Sequence, residues 1–88
     1  FLESLAFRQF LNRFSLDDIK FWRTQDKNEL DFVIQDRLAF EVKVTPEHFS
    51  LSKYSNFMSK NPDIPVNVVT YDRLEDKGAY QIWPVWGI

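Results

Sequence analysis

Asp31, Glu41 and Lys43 are the residues of this 88-residue chain whose types and spacing suit chemistry on a phosphate. Asp31 lies in the run Glu29-Leu-Asp-Phe-Val-Ile34, and Glu41 and Lys43 lie in Leu38-Ala-Phe-Glu-Val-Lys-Val44. Both runs alternate apolar and polar residues at period two, the pattern of a half-buried strand. Leu30, Phe32 and Ile34 share one face of the first run, and Leu38, Phe40, Val42 and Val44 share one face of the second. Only Gln35-Asp-Arg37 lies between them, so a hairpin with a three-residue turn is the economical connection.

Burial specifies the register of such a hairpin, because a slip of one residue would set every Phe and Ile against a charge. Matching Leu30 with Val42, Phe32 with Phe40 and Ile34 with Leu38 puts Asp31 opposite Glu41 and Glu29 opposite Lys43. Directly opposed side chains have Cβ atoms roughly 5 Å apart, where two like charges repel unless something compensates them. A divalent cation would do so, since Mg²⁺ takes one or two carboxylates together with waters and phosphate oxygens. Lys43 faces the same way and would stand beside that ion, in a set suited to gripping or hydrolysing a phosphodiester. The same residues also fit an ordinary solvated strand face with a Glu29–Lys43 ion pair.

A second unusual carboxylate lies in the segment Phe1–Phe14, which reads as an amphipathic helix. At about 100° per residue, Phe7 falls roughly 40° to one side of Glu3, Phe14 roughly 20° to that side and Phe10 roughly 20° to the other. Glu3 is therefore expected in the middle of the apolar stripe, where a carboxylate needs a partner or a cation. The plainer alternative is an exposed Glu3 favoured by the helix N-terminal dipole.

The other elements follow from punctuation and pattern. Ser15-Leu-Asp-Asp18 ends the first helix, and Ile19–Thr24 reads as a strand. Thr45-Pro-Glu47 is a helix start, with a Thr cap and Pro at the first helical position. That helix is expected to run to Lys60 and to bury Leu51, Tyr54, Phe57 and Met58. Val66–Tyr71 is a continuous apolar run, expected as a central strand, and Ala79–Trp83 a final short strand after a charged loop. The order helix, three strands, helix, strand, strand predicts an α/β domain whose mixed sheet is flanked by helices, with the Val66 strand parallel to the Leu38 strand.

Composition narrows the function classes. Phe, Trp and Tyr make up 17% of the chain, which indicates a packed unit rather than a disordered segment. With no cysteine, the chain has neither a disulfide framework nor a Cys-based zinc site, as expected of a cytoplasmic protein. Two glycines, both near the C-terminus, exclude a Gly-rich phosphate cradle. His48 sits in a first helical turn, and the serines of Pro46–Lys60 have no nearby base, so nucleophilic catalysis finds no support. The formal charge of −2 disfavours extensive DNA contact, although Lys20, Arg23, Lys27 and Arg37 cluster near the hairpin. No segment has transmembrane length. The chain opens on Phe1, as a piece of a longer protein would.

Glu3 on an opening helix, Asp31 on a strand and Glu41-Val-Lys43 on the next strand, followed by a helix and a strand, resemble the PD-(D/E)XK nuclease superfamily. Phe21-Trp-Arg-Thr24, Glu29-Leu-Asp-Phe-Val-Ile34 and Phe40-Glu-Val-Lys43 resemble a narrower group within it. That group is the C-terminal domain of unknown function fused to bacterial and archaeal AAA+-like P-loop ATPases. Leu2-Glu-Ser-Leu5 and Pro84-Val-Trp86 are similar to the segments with which that domain opens and closes, so the likeness spans almost the whole chain. Leu30 stands where the motif has proline.

The resemblance implies a restriction-endonuclease-like αβββαβ core over residues 1–88, forming the C-terminal part of a larger ATPase. It implies Asp31 and Glu41 as ligands of Mg²⁺ or Mn²⁺, Glu3 completing the acidic cluster, and Lys43 stabilising the phosphate or orienting water. The implied activity is metal-dependent hydrolysis of DNA, with the ATPase domain and DNA as partners. A catalytically silent DNA- or protein-binding module of the same fold is the alternative.

Overall fold

A computed structural model of the chain describes residues 1–22 and 30–88. The expected strand end at Thr24, the cations Arg23 and Lys27, and the Glu29–Lys43 pair therefore lie outside the described residues.

Helix α1 (Leu2–Leu11) is shorter than its sequence pattern predicts. It buries Leu2, Ala6 and Phe10, a stripe at i, i+4 and i+8. Ala6, fully buried, lets the helix axis come close to the sheet. Because the helix stops at Leu11, Phe14 no longer helps define the stripe, and its centre turns away from Glu3. Glu3 is exposed, which corrects the expectation that it occupies the middle of the apolar face.

Among the described residues the sheet has six strands: β1 (Ile19–Trp22), β2 (Leu30–Ile34), β3 (Leu38–Val42), β4 (Val66–Thr70), β5 (Glu75–Asp76) and β6 (Gln81–Pro84). Their spatial order is β1-β2-β3-β4-β6-β5. The expected hairpin is present, antiparallel, with Phe32 opposite Phe40 and Ile34 opposite Leu38. Gln35 and Asp36 both take positive φ, 53° and 56°, the conformation of a tight I′ hairpin turn. Neither is glycine, and the turn is held by Arg37 N–H donating to the Ile34 carbonyl and Gln35 N–H donating to that of Asp18. An ion pair of Lys20 with Asp36 adds a surface contact.

Strand β4 lies parallel to β3, as predicted, and parallel to β6 on its other side. A parallel pair needs a long crossover, and residues 43–65 supply it. They do not form the single helix that Thr45-Pro46 promises. Two 3₁₀ turns, Pro46–His48 and Leu51–Tyr54, precede a six-residue helix α2 (Ser55–Lys60). Phe49 and Ser50 between them are extended. That break lets Phe49 turn inward against the rings of Tyr54 and Tyr80, at 5.4 and 4.7 Å between centroids. Burial of one aromatic outweighs the weak helical preference of a serine-rich segment.

Two apolar layers result. On one face α1 packs through Phe10 onto Phe32 and Phe40, with ring centroids 5.1 and 5.0 Å apart. On the other, Phe49, Tyr54 and Phe57 cover Val33, Ala39, Val66 and Val68. Leu30 joins this second layer rather than the Phe32 layer. It pairs with Trp22 beyond a register shift in β1, and the irregularity redirects it. Met58, expected inside, is partly exposed, and Trp86 stands out from the surface.

Candidate functional site

Strand β3 runs between β2 and β4, and the two apolar layers cover its faces, so Ala39, Phe40 and Glu41 are all buried. Glu41 projects from it into the layer covered by Tyr54 and is only 7% exposed. An isolated buried carboxylate would be costly, so the surroundings of Glu41 decide what it can do. The Tyr54 hydroxyl donates to Glu41 Oε2. The Asp31 carboxyl forms a further hydrogen bond with Glu41.

The antiparallel ladder that brings these acids together stops at Phe32–Phe40. Beyond it, the expected Leu30–Val42 rung is absent from the ladder. Asp31 Oδ2 instead accepts the Val42 N–H at 2.8 Å, so a side chain replaces backbone pairing where the strands part. Lys43 carries on along β4, its N–H donating to the Val69 carbonyl. By strand alternation its side chain returns to the Glu41 face.

Burial and then the hydrogen bond to Asp31 push the Glu41 carboxyl up to about 8. The Tyr54 hydroxyl and the Lys43 ammonium act in the opposite direction, more weakly. Near neutral pH Glu41 therefore holds a proton, and Asp31 is the acceptor for it. Burial, followed by the bond to Glu41, holds the Tyr54 phenol above its ordinary range. The network runs from the Tyr54 hydroxyl through the Glu41 carboxyl to Asp31 and ends on the Val42 backbone.

Asp31, Glu41 and Lys43 are thus neighbours on one sheet face. Glu3 is not among them: it lies on the exposed side of the helix that packs against the opposite layer. Among the described residues, no group of three or more His, Cys, Asp or Glu side chains is placed to hold a metal. His48 is exposed, and Ser50 and Ser52 bond to each other.

Tyr54 is the member of the site that sequence reading missed. It was expected to fill the core as one of a helix's apolar positions. A buried tyrosine hydroxyl nearly always finds a polar partner, and a strand carboxylate with none assigned was the signal available.

The family model described as a domain of unknown function (DUF4143) matches residues 1–88. The chain belongs to that family. No curated protein and no solved structure matches it. In this DUF4143 domain no helix among the described residues is long and apolar enough to cross a membrane.

Proposed function

We propose that this is a PD-(D/E)XK nuclease-like domain whose Asp31 and Glu41 bind a divalent cation and, together with Lys43, act on a phosphodiester of DNA. The observation that carries the reading is the direct contact of Asp31 with Glu41 on the face to which Lys43 also returns. The finer fold assignment, a restriction-endonuclease-like core, belongs to the same proposal. It is supported by an opening helix, an antiparallel β1-β2-β3 meander and a crossover to a parallel β4.

The donor set fits Mg²⁺ or Mn²⁺. Two carboxyls that share one proton are a pair of hard oxygen ligands, and a divalent ion carries more than the charge needed to replace that proton. Asp31 and Glu41 would hold it; Glu3, on the other side of the sheet, has no part in this arrangement. When bound, such an ion acts as a Lewis acid on a phosphoryl oxygen and acidifies water. Asp31, already fixed by the Val42 N–H, keeps one ligand in place. Glu41 must give up its proton, and Lys43 offers an ammonium to the charge that builds on the phosphate. Tyr54 covers Glu41 and must keep or yield its bond as the carboxylate changes role.

The domain is further proposed to serve a P-loop ATPase in the same polypeptide, which would deliver the DNA. Phosphate neutralisation supplies most non-specific affinity for DNA, and a chain of net charge −2 has little to offer alone. A second reading, a catalytically silent binding module of the same fold, is favoured by the depth and the protonation of Glu41. Calorimetric titration of Mn²⁺ into the wild type and Asp31→Ala, together with DNA cleavage by each, separates the two. The nuclease reading expects Mn²⁺ binding that releases protons, lost in Asp31→Ala and Glu41→Ala, and weak cleavage, lost in those two variants and in Lys43→Ala. Wild-type cleavage in all three variants would sink it. Absence of Mn²⁺ binding would leave the silent module as the account of the domain.

A further inference from the structure

Asn67 sits in the middle of the sheet, on β4, and points to the face opposite the acid pair. Its rung neighbour is Phe40, while Glu41 pairs with Val68 on the other face. The residue is only 7% exposed, and among the described residues its carboxamide makes no hydrogen bond. A buried amide left in that state costs free energy, and native proteins rarely retain one without a use.

The carboxamide lies in the wall of a cavity of about 360 Å³, alongside Leu38, Phe40, Tyr80 and Trp83. A second cavity, of about 190 Å³, shares Leu38, Phe40 and Trp83 as walls and reaches Arg13. These three shared walls link the two into a slot that reaches from Asn67 toward Arg13. Among the described residues no Asp or Glu lines either part, in a chain where acids outnumber Lys and Arg. Arg13, exposed, has no ion-pair partner among the described residues.

These features define the ligand. A carboxamide presents one donor and one acceptor side by side, the complement of a base edge. Phe40 and Trp83 supply aromatic surface, as sheet faces that stack unpaired bases do. Strand β4 has a hydrogen-bonded neighbour on each side, so no peptide can add to it as a strand. Arg13, the one cation that lines the slot among the described residues, matches the single charge of one phosphodiester better than the higher charge of a free nucleotide. We propose that this slot takes one unpaired nucleotide of a nucleic-acid strand, its base edge on Asn67, its ring against Trp83 and its phosphate toward Arg13. The site needs no metal and is separate from the Asp31–Glu41 pair.

The test is a titration of the ¹⁵N-labelled 88-residue chain in EDTA with short single-stranded oligonucleotides of each base. A duplex hairpin and adenosine monophosphate serve as the other arms. The Asn67 side-chain amide signals, assigned by their loss in Asn67→Leu, and the Trp83 indole signal should move with single strands and not with the duplex. Asn67→Leu and Arg13→Gln should each weaken binding about ten-fold, as loss of a base-edge or a phosphate contact does. Arg13 is exposed, so that variant keeps the fold and its result stands if Asn67→Leu fails to fold. Unmoved Asn67 signals, or unchanged affinity in Arg13→Gln, would overturn the proposal. Equal binding of adenosine monophosphate and of a strand would overturn the assignment to a strand, and equal binding of the duplex would overturn the unpaired base.

Discussion

Replacing Glu41 by glutamine should remove a pH dependence of this domain's stability that spans neutral pH. Glutamine keeps the shape of a protonated carboxyl. Its oxygen accepts from Tyr54 as Oε2 does, and its amide donates to Asp31 in place of the shared proton. Glu41 is held up to about 8, against an ordinary value of 4.5, by burial first and by its bond to Asp31 second. An acid held above its unfolded value binds its proton more tightly when folded. Its contribution is therefore full below about pH 4.5 and is lost as pH rises toward about 8. A tenfold change in proton affinity is worth about 1.4 kcal/mol, so the ceiling over that window is about 5 kcal/mol. Relaxation and water penetration raise the effective dielectric near buried groups, and about 2–3 kcal/mol is the expected loss. Urea unfolding of both proteins at a series of pH values reads it directly. Wild type and Glu41→Gln should have similar midpoints near pH 5, and by about pH 8.5 the variant should be the more stable by that amount. Curves that run parallel across the range would refute the claim that Glu41 carries the proton.

Asp31→Ala leaves the Val42 N–H without its acceptor and should cost about 1–3 kcal/mol in urea unfolding at pH 6. Phe10→Ala opens a cavity between α1 and the Phe32–Phe40 rings, and a loss of about 3–5 kcal/mol is expected from the same measurement. Gly78 takes φ +84° and has open space around the position of a Cβ, so Gly78→Ala should cost about 1 kcal/mol through backbone strain alone. A thermal midpoint unchanged in Gly78→Ala would contradict that turn geometry.

The sequence alone determined strands β1 to β4 and β6, and the hairpin register at Phe32–Phe40 and Ile34–Leu38. It did not determine the short strand β5, which lies in what reads as a charged loop, nor the parting of the strands beyond Phe32. Phe32 and Phe40 had to meet because any one-residue slip exposes them, and the parallel Val66 strand followed from an apolar run after a long crossover. The same parity argument placed Asp31, Glu41 and Lys43 on one face. Tertiary structure decided the rest. The crossover was legible as a helix, yet it broke at Phe49 because a buried ring outweighs local preference. Residue spacing alone centres Glu3 on the apolar helix face, but the length of α1 and the close approach at Ala6 set which stripe is buried. Tyr54 and Asn67 look like ordinary members of an apolar run and a strand. Only packing shows that one hydroxyl reaches Glu41 and that one carboxamide is buried with no partner among the described residues, since a polar atom's burial and partners depend on chain segments far apart in sequence.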